Sequence, residues 1–366
     1  MSAAKKILVL CPYPEHVAPS QRLKFEQYYP SFREAGYEVT VSPFISETFW
    51  GIIYKKGNFI RKALYSMGGY LRRLKDLFRI RNYDVVYVHL WVTPFGPPFF
   101  EWLVRRFAKK IIYDIDDLVY LKNTSSSTNP IVSLIKGAGK PLKLMKVADH
   151  VITCTPYLDE FVRKYNTHTT DISSTINTDL YRPRKDYALK DGKAVLGWSG
   201  SHSTSRYLSL LEPVFKKLKE EGYAFRLLVM GDAQFSMPGI ETEAIAWKES
   251  YEVETIGRFD IGLYPLPDEE WVLGKSGLKA LQYMAAGVPA IATAIGANFR
   301  IIENGVNGML ANGHEEWLAY LRKLITEETL RQRIGAAGAL QVEQKFSINA
   351  NKGTYLSILN TVTDRS

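Results

Sequence analysis

The sequence has few cysteines and no long hydrophobic run. These two features argue against a cysteine metal site and against a membrane-spanning protein. Only Cys11 and Cys154 occur among 366 residues. Neither lies in a metal-binding spacing, so we expect two buried thiols that stay reduced inside a cell. Because no stretch of about 18 uncharged apolar residues is present, no transmembrane helix is expected. The apolar stretch Ile7–Leu10 behind the basic start is too short for a signal peptide and predicts a first buried strand.

Three catalytic signatures are also missing from the sequence. No G-x-G-x-x-G follows the first strand and no G-x-x-x-x-G-K-[ST] occurs anywhere, so an NAD dehydrogenase or a P-loop NTPase loses its best support. A Ser-His-Asp hydrolase is poorly supported because no G-x-S-x-G elbow is present. These absences remove the main support for three common classes of α/β enzyme.

Short apolar runs alternate with helical stretches throughout the chain. With 46% hydrophobic and 23% charged residues, this pattern predicts an α/β fold of two doubly wound, Rossmann-like domains that share an interdomain cleft. We expect domains at residues 1–183 and 184–346, a linker at 182–193, and a helix at 347–366 that packs back on the first domain. The predicted strands are Ile7–Cys11, Glu38–Ser42, Val85–Leu90, Lys110–Asp114, His150–Cys154, Ala194–Trp198, Arg226–Met230, Ile261–Tyr264 and Pro289–Thr293. The predicted helices include Gln21–Ala35, Phe99–Phe107, Ser205–Lys219, Leu278–Ala286, Glu315–Ile325 and Asn349–Thr363.

The positive charge is concentrated in the first half of the chain. Residues 1–180 hold 25 Lys and Arg against 16 Asp and Glu, whereas residues 181–366 hold 22 of each. Residues 52–81 alone carry nine basic residues and one acid, interleaved with apolar ones, which favours contact with an anionic membrane. A solvated helix face and a nucleic-acid patch are the alternatives, but no base-reading motif accompanies the segment, so no nucleic-acid partner is expected. The predicted acceptor or membrane contacts are Arg22, Lys55, Lys56, Arg61, Lys62, Arg72 and Arg73.

The most informative segment is Gly274–Thr293, which reads GKSGLKALQYMAAGVPAIAT. A glycine loop opens a helix, the helix closes at Gly287, and Pro289 leads into a buried strand. Backbone N–H groups at a positive helix end, flanked by Lys275 and Lys279, form a site suited to a diphosphate. Lys279 lies one turn into the helix and is expected to be exposed.

This segment closely resembles the donor-binding region of retaining family 4 glycosyltransferases (group 1), which have the GT-B fold. The likeness continues through Ile301–Leu310, through Asn177–Pro183 and through Gly36–Val39, in the same order along the chain. The resemblance implies an N-terminal acceptor-binding domain and a C-terminal domain that binds a nucleotide sugar.

The sequence departs from this family at several functional positions. Two glutamates are replaced by Gly274 and Gln282, of which the glutamine can still bond ribose hydroxyls. An Arg and a Lys that grip the diphosphate correspond to Trp198 and a position near Ser203, so Lys275 and Arg206 are expected to supply the charge, with backbone N–H groups from the strand end. The expected donor-binding set is Gly200, Ser201, Arg206, Lys275, Ser276, Gly277, Leu278 and Gln282.

A cluster of carboxylates follows the predicted strand Lys110–Asp114. The resemblance places Asp116 where the family often has a histidine that faces the donor sugar, so Asp116 is a candidate catalytic residue together with Lys275. An N-cap cluster and a divalent-metal site through Asp114 and Asp116 are alternatives. His89, at the end of a strand, is expected as a packed histidine rather than a site residue.

These observations predict a retaining glycosyltransferase. It would move a sugar from a nucleotide diphosphate sugar to a saccharide or lipid-linked acceptor in cell-surface polysaccharide or glycoconjugate assembly. No metal or cofactor is required if protein cations stabilise the leaving diphosphate. The rivals are a GT-B sugar-nucleotide epimerase and a non-catalytic nucleotide-sugar or polysaccharide binding protein. We expect a cytoplasmic protein that can sit peripherally at the inner face of the cell membrane.

Overall fold

In the computed structural model of the chain, residues 4–116, 118 and 139–364 are described. Their contacts divide the chain into two compact units. The first comprises residues 1–174 and 351–366, and the second comprises residues 175–350. Each unit contains one six-stranded sheet, and every pairing between named strands is parallel.

The first unit is built on a sheet with the strand order β2-β1-β3-β4-β5-β6. Its central strands are buried on both faces, as expected where helices cover both sides of a parallel sheet. The strands are β1 Lys5–Cys11, β2 Tyr37–Pro43, β3 Val85–His89, β4 Ile111–Asp114, β5 His150–Thr153 and β6 Thr169–Asp171. The α-helices are α1 Pro19–Arg22, α2 Tyr29–Glu34, α3 Glu47–Ile53, α4 Phe59–Arg79, α5 Phe99–Phe107, α6 Gly139–Val147 and α7 Pro156–Arg163.

The second unit has the strand order β12-β11-β10-β7-β8-β9. Two layers of apolar side chains cover the faces of this sheet, one around Tyr283 and the other around Trp198. The strands are β7 Ala194–Ser199, β8 Phe225–Met230, β9 Thr242–Ile245, β10 Ile261–Tyr264, β11 Ala290–Thr293 and β12 Met309–Ala311. The helices are α8 Glu212–Glu220, α9 Glu249–Gly257, α10 Leu278–Ala285, α11 Asn298–Ile301, α12 His314–Thr326 and α13 Glu328–Gln341.

The last helix, α14 Ile348–Asp364, contributes to the core of the first unit. Tyr355 is buried with its ring 4.3 Å from that of Tyr28. Near the end of the helix, the Lys5 ammonium donates to the Thr363 hydroxyl at 2.8 Å and pairs with the Asp364 carboxylate. The core of the first unit is therefore completed by a helix that comes late in the chain.

Two predicted helices are divided in the structure. The stretch predicted as one helix, Gln21–Ala35, contains α1, a 3₁₀ turn at Glu26–Tyr28 and then α2. Ser205–Lys219 begins as a 3₁₀ helix at Ser205–Leu211 and becomes α-helical from Glu212. In both cases a proline, Pro30 or Pro213, stands in the first turn of the later helix, where its missing N–H costs nothing.

The stretch 182–193, expected as a linker, packs inside the second unit. The Arg184 N–H donates to the Ala286 carbonyl, and the Tyr187 hydroxyl donates to the Gly287 carbonyl at 3.0 Å. The buried guanidinium of Arg331 donates to the Tyr187 carbonyl. This polar sequence forms ordered contacts because its arginine and tyrosine satisfy carbonyls at the ends of helices.

Candidate functional site

The second sheet reverses its strand order between β7 and β10. From β7 the chain moves outward through β8 and β9, and from β10 it moves outward in the opposite direction through β11 and β12. In open α/β sheets, ligands bind at such a switch point, just beyond the carboxyl ends of the strands. The residues at this place are Trp198 and Ser199 of β7 and Tyr264 of β10.

Two glycines keep the carboxyl end of β7 bare. Gly231, which follows β8, has φ +113°, and a side chain there would overlap the Gly200 carbonyl. A Cβ atom on Gly200 would contact the Trp198 ring and lie 2.6 Å from Nζ of Lys279. The close approach of these two backbones therefore leaves room at the strand end and brings it next to a lysine ammonium.

Lys279, on α10, is the cation at this switch point. The residue is half-buried, and its ammonium lies 4.2 Å from the ring centroid of Trp198 and 5.6 Å from that of Tyr264. Within the described residues, no hydrogen bond or ion pair to this ammonium occurs. Burial, and then the nearby charge of Lys275, lower the pKa of Lys279 to about 7. A cation held without a counter-ion beside two aromatic faces is suited to an anionic ligand.

The start of α10 adds to this positive region. Gly277 is the N-cap residue with φ +75°, where a side chain would overlap Ile301, and as a glycine it has no side chain with which to cap the helix. The Lys275 ammonium lies 5.5 Å from the Trp271 ring centroid. A helix N-terminus beside two lysines has the positive potential that an anion site needs, and the binding of a diphosphate here stays a prediction.

The backbone N–H groups that follow the end of β7 make hydrogen bonds within the second unit. The Gly200 N–H donates to the Met230 carbonyl at 2.9 Å, which extends the β7–β8 ladder. The Ser201 N–H donates to the Thr204 hydroxyl at 3.3 Å. The Gly200 N–H is therefore used by the sheet, contrary to the prediction that it contacts a phosphate, whereas donor binding by Ser201 stays a prediction.

Arg206 and Gln282 occupy different environments. Arg206 is exposed and donates to the Tyr207 hydroxyl at 3.1 Å. The Tyr207 ring lies 5.6 Å from the Trp271 ring, and the Lys275 ammonium also lies over the Trp271 ring. Arg206 and Lys275 are therefore linked through these two aromatic side chains. Gln282 is instead buried and donates its amide nitrogen to the Tyr181 hydroxyl at 3.2 Å. Because Gln282 is buried, little of its side chain is exposed to contact a ribose, and that contact stays a prediction.

The first sheet reverses its order between β1 and β3, and His89 ends β3 at this point. Its Nδ1 atom lies 3.2 Å from the Asp114 carbonyl oxygen, an acceptor, so Nδ1 carries the proton. Burial lowers the pKa of His89 to about 4, and the ring is therefore neutral near pH 7. The next residue, Leu90, has φ +58°, a strained conformation for a branched side chain.

Asp116 faces the other nitrogen of this ring. Its Oδ1 atom lies 3.9 Å from the buried Nε2 of His89, and its side chain is 15% exposed. Because the neutral ring presents a lone pair at Nε2, two hydrogen-bond acceptors face each other. His89 is packed in the interior, as expected, and its contact with Asp116 is suited to a hydroxyl group that donates to the carboxylate.

Asp114 has a structural role. Its buried carboxylate is paired with the Lys24 ammonium and accepts a hydrogen bond from the Tyr87 hydroxyl. The alternative of a metal site through Asp114 and Asp116 is weakened because both partners of Asp114 compete with a cation. Asp117 lies outside the described residues, and among those described no three His, Cys, Asp or Glu side chains group to hold a metal ion.

The predicted acceptor or membrane residues divide by exposure. Lys55, Lys56 and Arg61 are exposed, whereas Arg22, Lys62 and Arg72 are half-buried. Arg73 is buried and donates to the carbonyls of Cys11, Ser42 and Val92. Its prediction as an acceptor or membrane contact is wrong, because the guanidinium stabilises the interior of the unit. No helix within the described part of the chain is long and apolar enough to span a bilayer.

Comparisons with known proteins show the family and the fold of this chain. Residues 193–327 match the family model described as "Glycosyl transferases group 1". The chain is 31% identical over 317 residues to a D-inositol 3-phosphate glycosyltransferase of Xylanimonas cellulosilytica, covering 77% of this chain and 73% of that protein.

Two solved structures show the same fold. Sucrose-phosphate synthase from Thermosynechococcus elongatus aligns with a TM-score of 0.71 at 15% identity, over 99% of this chain and 100% of that one. HepE from Anabaena, in complex with UDP and glucose, aligns with a TM-score of 0.69 at 14% identity, over 98% and 100% of the two chains.

Proposed function

Because the chain belongs to the group 1 glycosyltransferases and has their two-domain α/β GT-B fold, we propose that the lysine-lined switch point of its second unit binds the diphosphate of a nucleotide sugar. The observation that carries this proposal is Lys279, a half-buried cation without a counter-ion beside the bare end of β7. The reaction is transfer of the sugar to a saccharide or lipid-linked acceptor, with retention at the anomeric carbon.

The same residues account for catalysis. When the glycosidic bond to the diphosphate breaks, negative charge develops on the leaving phosphate. Lys279, Lys275 and the N-terminus of α10 are already oriented and partly removed from water, so they stabilise this charge without reorganisation. Because protein cations supply this stabilisation, the reaction requires no metal ion.

Asp116 and His89 provide a second recognition point, in the first unit. Their two facing acceptors suit a sugar hydroxyl, which would donate to the partly exposed carboxylate of Asp116. His89 is a positioning residue in this proposal because it is buried and contacts the carboxylate rather than the solvent.

The donor proposal is tested by a thermal-shift screen across UDP-, GDP-, ADP- and dTDP-sugars. One donor series is expected to raise the Tm of the wild-type protein, and the shift should be lost in Lys279→Ala. Lys216→Ala, which removes an exposed lysine of α8 paired with Glu212, is the control. If every donor leaves the Tm unchanged, or if Lys279→Ala binds as tightly as the wild type, the proposed site is wrong.

The reaction type needs its own measurement. Incubation of the preferred donor with candidate acceptors, followed by NMR of the product, reports whether the anomeric configuration is retained. An epimerase would convert the donor when no acceptor is present. A binding protein would release no nucleotide under either condition. Release of nucleotide that depends on the acceptor, with retention, is the expected result.

We further propose that α4 lies on a membrane surface, because its polarity is the reverse of that in an ordinary surface helix. The residues on its inner face are Gly69, Arg73 and Asp76, all buried. Its outward side carries large apolar side chains, of which Phe78 is 90% exposed. At about 100° per residue these side chains fall in one stripe. The members of the stripe are Ile60, Leu64, Met67, Leu71, Leu74 and Phe78.

Exposed basic residues accompany this apolar stripe. Lys55, Lys56 and Arg61 lie at or before the start of α4, and Lys75 lies near its end. An interfacial helix combines these two features, since the apolar side enters the acyl boundary and the cations meet anionic headgroups. This placement favours an acceptor that is itself carried by a lipid, in cell-surface polysaccharide or glycoconjugate assembly.

Vesicle co-sedimentation tests the membrane contact. The double variant Leu64→Ser, Leu71→Ser is expected to lose binding to anionic vesicles. Leu340→Ser, which changes an equally exposed leucine of the second unit, should bind as the wild type does. Equal binding by the wild type and the double variant would contradict the assigned surface.

A further inference from the structure

An open cavity of about 490 Å³ lies between the end of β2 and α4. Ser42 and Pro43 of the strand form one side, and the helix contributes Leu71, Lys75 and Arg79. Arg72 also lines it. The cavity lies at the edge strand β2, which pairs with β1, and so it is one strand away from the switch point between β1 and β3.

The two arginines of this cavity are held by the fold. Arg72 donates through Nη1 to the carbonyls of Pro43 and Phe44, at 2.6 and 3.1 Å. Arg79 donates through Nε and Nη2 to Oδ1 of Asp76, at 3.2 and 2.7 Å. Each guanidinium has five N–H donors, so each keeps donors beyond these bonds while its position is fixed.

The charge of the cavity is not balanced by its own carboxylate. Asp76 is already bonded by Arg73, Arg79 and the Ser42 hydroxyl. Lys75 is exposed, and within the described residues its ammonium makes no hydrogen bond or ion pair. The cavity is therefore lined by three cations and one carboxylate, which Arg79 and the buried Arg73 already contact.

We propose that this cavity binds the phosphate monoester of a lipid headgroup. Fixed guanidinium donors with a lysine one turn away suit a phosphate dianion, whose three terminal oxygens accept several charge-assisted hydrogen bonds. Leu71 decides between a lipid and a soluble phosphate, because it lines the cavity and also belongs to the exposed apolar stripe of α4. A phosphate in the cavity would thus have acyl chains beside the stripe. The inference rests on the proposed membrane contact and adds headgroup selectivity to it.

The test compares two kinds of vesicle with equal surface potential. One contains phosphatidic acid, a phosphate monoester, and the other contains phosphatidylglycerol, a phosphodiester. The wild-type protein is expected to prefer the monoester vesicles by about tenfold in partition coefficient, as charge-assisted hydrogen bonds to the additional terminal oxygen imply. Lys75→Ala should bring this ratio close to one.

Arg61→Ala is the matched control, since it removes one exposed cation from the same helix outside the cavity. It is expected to weaken binding to both vesicles by about fivefold, the effect of one charge near an anionic surface, and to leave their ratio unchanged. If Lys75→Ala and Arg61→Ala lower both partition coefficients alike, the charges act diffusely and the cavity proposal is overturned. If the wild-type protein binds neither kind of vesicle, the proposed membrane contact itself is contradicted.

A soluble probe separates the two sources of phosphate. Glycerol 3-phosphate is titrated into the protein by calorimetry in the absence of vesicles. No measurable binding at millimolar concentration, together with the vesicle preference, supports a lipid-borne ligand. Tight binding of the soluble ester that is abolished by Lys75→Ala would assign the cavity to a soluble phosphate and overturn the lipid proposal.

Discussion

The two units have the same parallel architecture but opposite chemistry at the points where their strand orders reverse. In the second unit, Lys279 lies at the switch point with Lys275 nearby, and Lys279 has no counter-ion among the described residues. In the first unit, the neutral ring of His89 faces the carboxylate of Asp116. One site therefore presents positive charge, and the other presents a carboxylate and a neutral imidazole.

The shared topology therefore supplies the location of each candidate site, and the side chains there set the kind of ligand that it suits. By our proposal an anion binds at the site of the second unit, and a hydroxyl group donates to Asp116 in the first. Substitutions that affect one site and spare the other are therefore the sharpest way to examine the proposed division of roles.

The largest effect is expected for Lys279→Ala. Removal of the cation should lower the rate of donor turnover by about 10²–10³-fold, the usual cost of losing one charge-stabilising contact in a transition state. Hydrolysis of the donor by water can be followed without knowing the acceptor. Equal rates for Lys279→Ala and the wild type would exclude the proposed role, while an effect of Lys216→Ala would point to a nonspecific loss.

The pH dependence of donor binding should identify the same lysine. The pKa of Lys279 in the free protein is about 7, and a bound diphosphate raises it. Binding therefore takes up a proton above pH 7, so affinity should be constant below that pH and fall by up to about tenfold per unit above it. Calorimetry between pH 6 and pH 9 gives the profile. Lys279→Arg stays charged, so its profile should be flat; a decline that matches the wild type would assign the titration elsewhere.

Gly200→Ala should produce a smaller loss. The added Cβ would press on the Trp198 ring and on the ammonium of Lys279. We expect donor affinity to fall by about tenfold, with a cost of about 1–3 kcal/mol in the free energy of unfolding. Gly257→Ala is the control because nothing lies within 4 Å of the added atom. Unchanged affinity in Gly200→Ala would show that the strand end has more room than the structure provides.

Asp116→Asn tests the other side of the comparison. The amide retains one acceptor and the shape of the side chain, so turnover should fall by up to about tenfold while donor affinity stays within twofold. Glu160→Gln, an exposed carboxylate of α7, serves as the reference. A Kd that increases as much as kcat falls would place Asp116 in diphosphate binding and remove the contrast between the units.

Chelation should have no effect. The carboxylate of Asp114 is occupied by Lys24 and Tyr87, and lysines carry the charge at the proposed donor site. Turnover in the presence of EDTA is therefore expected to equal turnover without it. Loss of activity that Mg²⁺ or Mn²⁺ restores would revive the metal-dependent alternative.

Much of the fold could be predicted from periodicity, because long buried strands and amphipathic helices have clear patterns. The edge strands β6, β9 and β12 were not predicted, because β6 and β9 are only half-buried and β12 has three residues, whereas four-residue strands such as β4 and β10 are fully buried. The broken helices at Pro30 and Pro213 show a similar limit. Proline is tolerated in a first turn, so it can mark a new start inside what looks like one helix.

The site was predicted less completely. The lysine-rich glycine loop was recognised, but Lys279 was expected to be exposed, because nothing local indicates that the Trp198 indole and the Tyr264 ring cover it. The N–H of Gly200 was assigned to a phosphate, although the β7–β8 ladder uses it. Arg73 resembled its basic neighbours in sequence, and only its carbonyl partners distinguish it. Each error concerns a contact between residues far apart in the chain.

The position of α14 has a consequence for how the protein acquires its fold during synthesis. Tyr28, Phe32 and Tyr37 of the early chain contact residues of this helix, which the ribosome makes only after the whole second unit. Domains made first generally fold first, but in this protein the aromatic residues that contact α14 stay uncovered until the second unit has been synthesised. A fragment that stops at residue 174 would keep that surface permanently, and it should aggregate unless a peptide spanning residues 348–364 is supplied.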